Sequence, residues 1–284
     1  MGRSGFAGVR CVDMKKFGLI AGFLSLVCSG AGELRAQQYG LQALVPPEAD
    51  MSREATRDIS GGFLALRGGG ADLNGLDVSV FYGKRVSSGT YSALTAGTAL
   101  IGLPGSGYFD VGTARRDLAG MTIHGSTDKY YLFGGGGVPR LALLASVPVS
   151  FGDFSVIKDK KEEGRFYNLL TGVQGGAYYN ARGGDFLLTP SVLLALMGGY
   201  KETYSGGVYW SNRKAGWIRP YAVLTLGADL ACLPREWKLG AVYQRFFSSG
   251  QQRAMDVLQF RFALGWGGAH GKAGKPAAGQ GEID

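Results

Sequence analysis

The chain has 284 residues, 49 of them glycine, far above the usual share of about 7%. These glycines keep no three-residue period and 12% of residues are aromatic, which excludes a collagen-like or wholly disordered chain. The net charge of +8 comes from Lys and Arg scattered along the sequence, so nucleic acid is not an expected partner.

Residues 1–36 read as an export signal. Arg10, Lys15 and Lys16 form a basic start, and Phe17 to Val27 is an apolar run too short to span a bilayer as a helix. Ser29, Gly30 and Ala31 follow, with cleavage expected after Ala31 or Ala36. Met14-Lys15-Lys16-Phe17 reads as an alternative start. Residues 37–57, with Pro46-Pro47 and mixed charge, read as a periplasmic N-terminal segment.

From residue 58 to 266 large apolar residues alternate with small or polar ones, the period of a β-strand. Ser60 to Gly68, Leu76 to Gly83, Tyr91 to Leu103, Leu118 to His124 and Lys129 to Gly134 are strand candidates. Gly134–Gly137 with Val138-Pro139 reads as a turn. Six clearer strands follow, in Leu141–Phe151, Tyr167–Ala181, Phe186–Lys201, Ile218–Leu230, Trp237–Phe247 and Asp256–Trp266. In the last, Leu258, Phe260, Phe262, Leu264 and Trp266 share one face, and Val257, Gln259, Arg261, Ala263 and Gly265 the other.

Candidates of about 10 to 17 residues exceed the usual globular strand and suit a tilted membrane strand of roughly 9–11. Tyr167, Tyr179, Tyr200, Tyr204, Trp217, Trp237 and Trp266 gather near strand ends, as rings at a headgroup interface do. Residues 156–165 and 205–216 read as long loops, and 182–185 and 233–236 as short turns. The expected fold is all-β, a transmembrane antiparallel up-and-down barrel of 10 or 12 strands. In it the long loops lie outside and both ends in the periplasm. Residues 267–284 read as a disordered tail.

Together these features resemble the outer-membrane β-barrel proteins of Gram-negative bacteria, over roughly residues 58–266. The resemblance implies an outer-membrane location, contact with outer-membrane lipid and recognition by the barrel assembly machinery. It also implies a porin-like role, either passive passage of small solutes or a structural role in the membrane. Two alternatives stay open: a lipid-modifying enzyme similar to the lipid A deacylases, and a surface adhesion barrel.

No enzymatic activity is expected. His124 and Ser126 match the His-x-Ser spacing of the deacylases, and positions two apart share a face of a strand, but no carboxylate is assigned to orient the histidine. Cys11, Cys28 and Cys232 form no CxxC pair and join no histidine cluster, so neither metal nor cofactor is expected. The polar faces of the strands supply lumen-lining candidates: Arg182, Lys201, Arg219, Asp229, Lys238, Gln259 and Arg261, with Asp185 beside them. Inward charges bias ion passage or pair with each other. From the period alone, Phe262→Arg should impair folding and Arg261→Ala should leave it intact.

Overall fold

The computed structural model describes residues 55–68, 71–102, 108–111, 114–134, 139–158, 161–205, 212–232, 237–247 and 254–265. The expected leader, the segment up to residue 54, Trp266 and the tail lie outside the described residues.

Twelve strand segments follow one another: β1 (Ala55–Gly68), β2 (Ala71–Ser87), β3 (Thr90–Ile101), β4 (Tyr108–Val111), β5 (Ala114–Phe133), β6 (Leu141–Lys158), β7 (Lys161–Tyr179), β8 (Ala181–Gly183), β9 (Phe186–Ser205), β10 (Asn212–Cys232), β11 (Trp237–Phe246) and β12 (Met255–Gly265). Long neighbours pair antiparallel, and β1 pairs with both β2 and β12, which closes the sheet. Ten long strands form the wall. Short β4 joins β2 and β5, on the side where β3 ends at Ile101. Short β8 carries on from β7 past Asn180.

Closure leaves no edge, so every strand satisfies its backbone polar groups on both sides, the condition for crossing hydrocarbon. Alternation then divides the side chains. On β9, Leu193 is 0% exposed and its neighbour Leu194 is 59% exposed, so the large outward residue has only the surroundings of the barrel to cover it. The same holds around the wall for Val78, Ile123, Val149, Val173, Leu239 and Phe260. Aromatic pairs mark both limits of this belt. Tyr200 and Trp217 (5.6 Å between ring centroids) and Phe151 and Tyr167 (6.4 Å) stand at one limit. Phe186 and Trp237 (6.4 Å) stand at the other.

Ala55 and Gly265 share one mouth, here called the inner mouth. The connections after β6 and β9 lie at the opposite, outer mouth.

Several expectations need correction. Leu118–His124 and Lys129–Gly134 are two parts of one strand, β5, because Gly125 and Ser126 continue the register against Thr95 and Ala96. Residues 156–165 are not a long loop: β6 and β7 stay paired to Lys158 and Lys161. Residues 205–216 shrink to 206–211 between β9 and β10. These arms rise past the aromatic limit into water, where both faces of a strand carry charge and the apolar period disappears.

A bulge in β10 alters a fourth expectation. Ile218 pairs with Gly199 and Tyr221 with Met197, so Arg219 and Pro220 together oppose Gly198. Proline donates no ladder hydrogen bond and is tolerated at such a bulge. The extra residue resets the alternation, so Ile218 packs inside against the apolar cluster although an unbroken two-residue period from Leu224 would turn it outward.

Candidate functional site

Among the described residues, the lumen gathers buried polar groups away from water. Near the inner mouth, Phe81, Tyr91, Tyr130, Ala142, Leu144, Tyr178 and Leu193 form an apolar cluster. Within it Tyr91, Tyr130 and Tyr178 stand as a ladder with centroids 6.1 and 6.0 Å apart. The outer half is filled by a larger cluster that includes Leu64, Leu73, Leu118, Phe154, Phe166, Leu170, Phe246 and Met255. Phe154 and Phe166 stack at 5.0 Å.

Polar side chains occupy the levels between and reach toward the inner mouth. Arg261 of β12 donates to Asp229 of β10 through Nη2 (2.7 Å) and Nε (3.2 Å), with both side chains under 10% exposed. Lys238 of β11 donates to Asp58 of β1 at 2.5 Å. Gln259 Nε2 donates to Asp77 Oδ2 at 3.3 Å. His124 Nε2 lies 3.4 Å from Asp77 Oδ1, without the alignment of a hydrogen bond. Asp128 accepts from Ser146 (2.5 Å), Ser126 (3.0 Å) and Thr95 (3.4 Å).

These pairs share a geometry: most link strands that are not neighbours. His124 on β5 reaches Asp77 on β2 across β3, and Arg261 on β12 reaches Asp229 on β10 across β11. The strand crossed carries a glycine at the crossing point. A Cβ on Gly97 would run into His124 Nε2, and one on Gly240 into Asp229 Oδ1. Gly62 likewise sits beneath Gln259 on its way to Asp77. Gly62, Gly97 and Gly240 therefore let long polar side chains lie flat on the inner wall.

The expected lumen residues fall into three groups. Arg261, Asp229, Lys238 and Gln259 are brought together inside as described. Lys201 is half-buried toward the outer mouth, opposite Asn168 on β7. The others are corrected. Arg219 is exposed in the β10 bulge rather than lumen-lining. Arg182 is exposed at the inner rim, its Nε donating to the Gly184 carbonyl at 3.3 Å. Asp185 is exposed in the turn between β8 and β9. Sequence reasoning missed Asp58 and Asp128, and it saw Asp77 and His124 without their pairing. The available signal was a carboxylate on the small-residue face, with glycine on the next strand.

His124 and Ser126 share the lumen face but do not bond each other. The serine hydroxyl donates to Asp128, and the histidine faces Asp77. Among the described residues no group of three His, Cys, Asp or Glu could hold a metal ion.

Above the outer aromatic limit, the arms of β9 and β10 carry a further cluster on the outside. Arg213, Tyr204 and Tyr200 all donate to Glu202. The Arg213 guanidinium, helped by the two phenols, holds this half-buried carboxyl down at about 2.

A closed ten-stranded antiparallel wall, with an apolar outward belt between aromatic limits, defines a transmembrane β-barrel of the outer-membrane class. The chain is similar in fold to the translocator domain of the autotransporter NalP from Neisseria meningitidis (12% identity, 76% of this chain and 89% of that one, TM-score 0.48). Another similar structure is the transport unit of the autotransporter AIDA-I from Escherichia coli (12% identity, 87% and 97%, TM-score 0.39). A third is an outer membrane channel from Pseudomonas putida F1 (9% identity, 79% and 100%, TM-score 0.39). No protein-family model matches the chain, and no curated protein matches its sequence.

Proposed function

We propose that the protein is a closed barrel with a structural role in the outer membrane, and that its lumen is packed rather than open to solutes. The observation that carries this reading is the burial of inward residues at every level. Tyr91 and Tyr130 are 0% exposed near the inner mouth, Thr122 and Thr225 are 0% midway, and Phe246 and Met255 are 0% toward the outer mouth. A water-filled passage would leave such a column wet. Arg261 with Asp229 and Lys238 with Asp58 pair along the inner wall, which supports the structural reading of these charges over a selective path.

Planar bilayers test it. The purified protein should give no steady conductance, whereas reproducible ohmic steps would restore solute passage.

Against the lipid-enzyme alternative stands the hydroxyl of Ser126, which donates to Asp128 on the lumen side rather than meeting His124. No acyl release from lipopolysaccharide is expected. The adhesion alternative keeps one observation in its favour, the arms of β6, β7, β9 and β10 that rise past the aromatic limit with the Glu202 cluster outward. For assembly, we propose that β12, with Leu258, Phe260, Phe262 and Leu264 outward, is the strand that the barrel assembly machinery reads.

A further inference from the structure

Some outward cations of this barrel have a carboxylate partner and others do not. Toward the outer mouth each of four arginines has its own carboxylate: Arg67 with Asp72, Arg165 with Asp153, Arg213 with Glu202 and Arg245 with Asp256. Toward the inner mouth three cations lie within one sector of the wall, and none makes an ion pair among the described residues. They are Arg57 on β1, Lys84 on β2 and Lys129 on β5, all exposed. No described outward residue of β1, β2, β3, β5 or β6 in this sector is acidic.

The register puts them in one patch. Lys84 is directly opposite Ser92 on β3, and Ser92 is directly opposite Lys129. The two lysines are thus two strand spacings apart, about 10 Å, with a hydroxyl between them. Arg57 flanks this row, its guanidinium 5.8 Å from the Tyr82 ring centroid, and the Lys129 ammonium lies 5.4 Å from that of Tyr131. Tyrosines beside cations at the belt's edge are the setting of a headgroup interface. From this row toward the belt, Ala96 and Gly125 are paired between Val80 and Val149, so the outward surface dips there.

We propose that this sector holds an anionic phospholipid of the leaflet at the inner mouth. Its phosphate would lie between Lys84, Ser92 and Lys129, and an acyl chain along the dip over Ala96 and Gly125. Charge complementarity selects the headgroup, since three uncompensated cations with no acid beside them fit a phosphate that carries net charge. A zwitterionic lipid would bring its own ammonium against them. The site lies outside the lumen, so it stands whether or not the barrel conducts, and lipid retention and conductance fail separately.

Native mass spectrometry of the folded, detergent-purified protein with added phosphatidylglycerol, phosphatidylethanolamine or lipopolysaccharide tests this. Phosphatidylglycerol should be retained over phosphatidylethanolamine by about tenfold or more, in keeping with the attraction of several basic residues to anionic lipid. The triple variant Arg57→Gln, Lys84→Gln, Lys129→Gln should lose that preference, while Arg245→Gln at the other mouth keeps it. Heat-modifiable migration on a gel checks that each variant is folded. If the triple variant does not fold, Lys84→Gln alone should show reduced retention. Equal retention of both phospholipids, an unchanged preference in the variants, or preference for lipopolysaccharide through these same residues would each overturn the proposal.

Discussion

The two halves of the lumen are filled on different principles. The outer half is a hydrocarbon core, in which rings and aliphatic chains from all around the wall touch near the axis. The middle and inner levels combine the tyrosine cluster with charges and amides that lie along the wall and bridge over a strand. Apolar filling stabilises in proportion to what it buries. A buried ion pair mainly offsets its own desolvation, and its removal is harmful chiefly when one partner remains. The polar levels are therefore expected to be sensitive to single changes and tolerant of paired ones, and the apolar half to lose stability with every truncation.

The largest expected effect is on the polar side. Arg261→Ala should destabilise by about 3–5 kcal/mol because it strands Asp229 in the lumen. Urea titration of the protein refolded in lipid would measure it. Replacing both partners, Asp229→Leu with Arg261→Met, should recover most of the loss. A double variant as unstable as the single would erase the contrast between the halves. The period alone suggests that Arg261→Ala leaves folding largely intact, whereas the bidentate contact with Asp229 gives the opposite expectation.

Next comes the apolar side. Leu170→Ala, at a 0% exposed position, should cost about 2–5 kcal/mol through lost burial and the cavity left behind. A second truncation elsewhere in that cluster should add to it in the same titration, with no rescue by pairing. The smallest effect is expected at a crossing point. Gly97→Val should cost about 1–3 kcal/mol by overpacking. It should also push His124 away from Asp77, visible as a changed imidazole signal by NMR. An unchanged signal would mean that the gap over β3 does not hold the histidine.

How much of this was legible in the sequence depends on what each face meets. Lipid is uniform, so the outward face repeats one requirement every second residue, and Leu258, Phe260, Phe262 and Leu264 could be read directly. The alternation from Leu141 onward likewise located six strands of the wall. The arms at 156–165 and 205–216 were misread as loops because water on both faces removes that requirement. Arg219 was misassigned because one extra residue inverts a two-residue period, and Pro220 in mid-strand was the available warning. The partners inside were out of reach for a different reason. His124 meets Asp77, and Arg261 meets Asp229, only once strand order and the intervening glycine are known.

The seam between β1 and β12 has a consequence for how the molecule comes into being. Eleven residue pairs, from Asp58 with Gly265 to Gly68 with Met255, join the first strand to the last. Until β12 is available, β1 and β11 are both raw edges, each a template for pairing with another chain. Contacts so distant along the chain also form late, since loop closure must precede their reward. The wall therefore has no half-built form that is safe in a membrane. A chain cut short before Met255 would present two open edges and no lumen, and its fate would be aggregation or degradation rather than a smaller barrel.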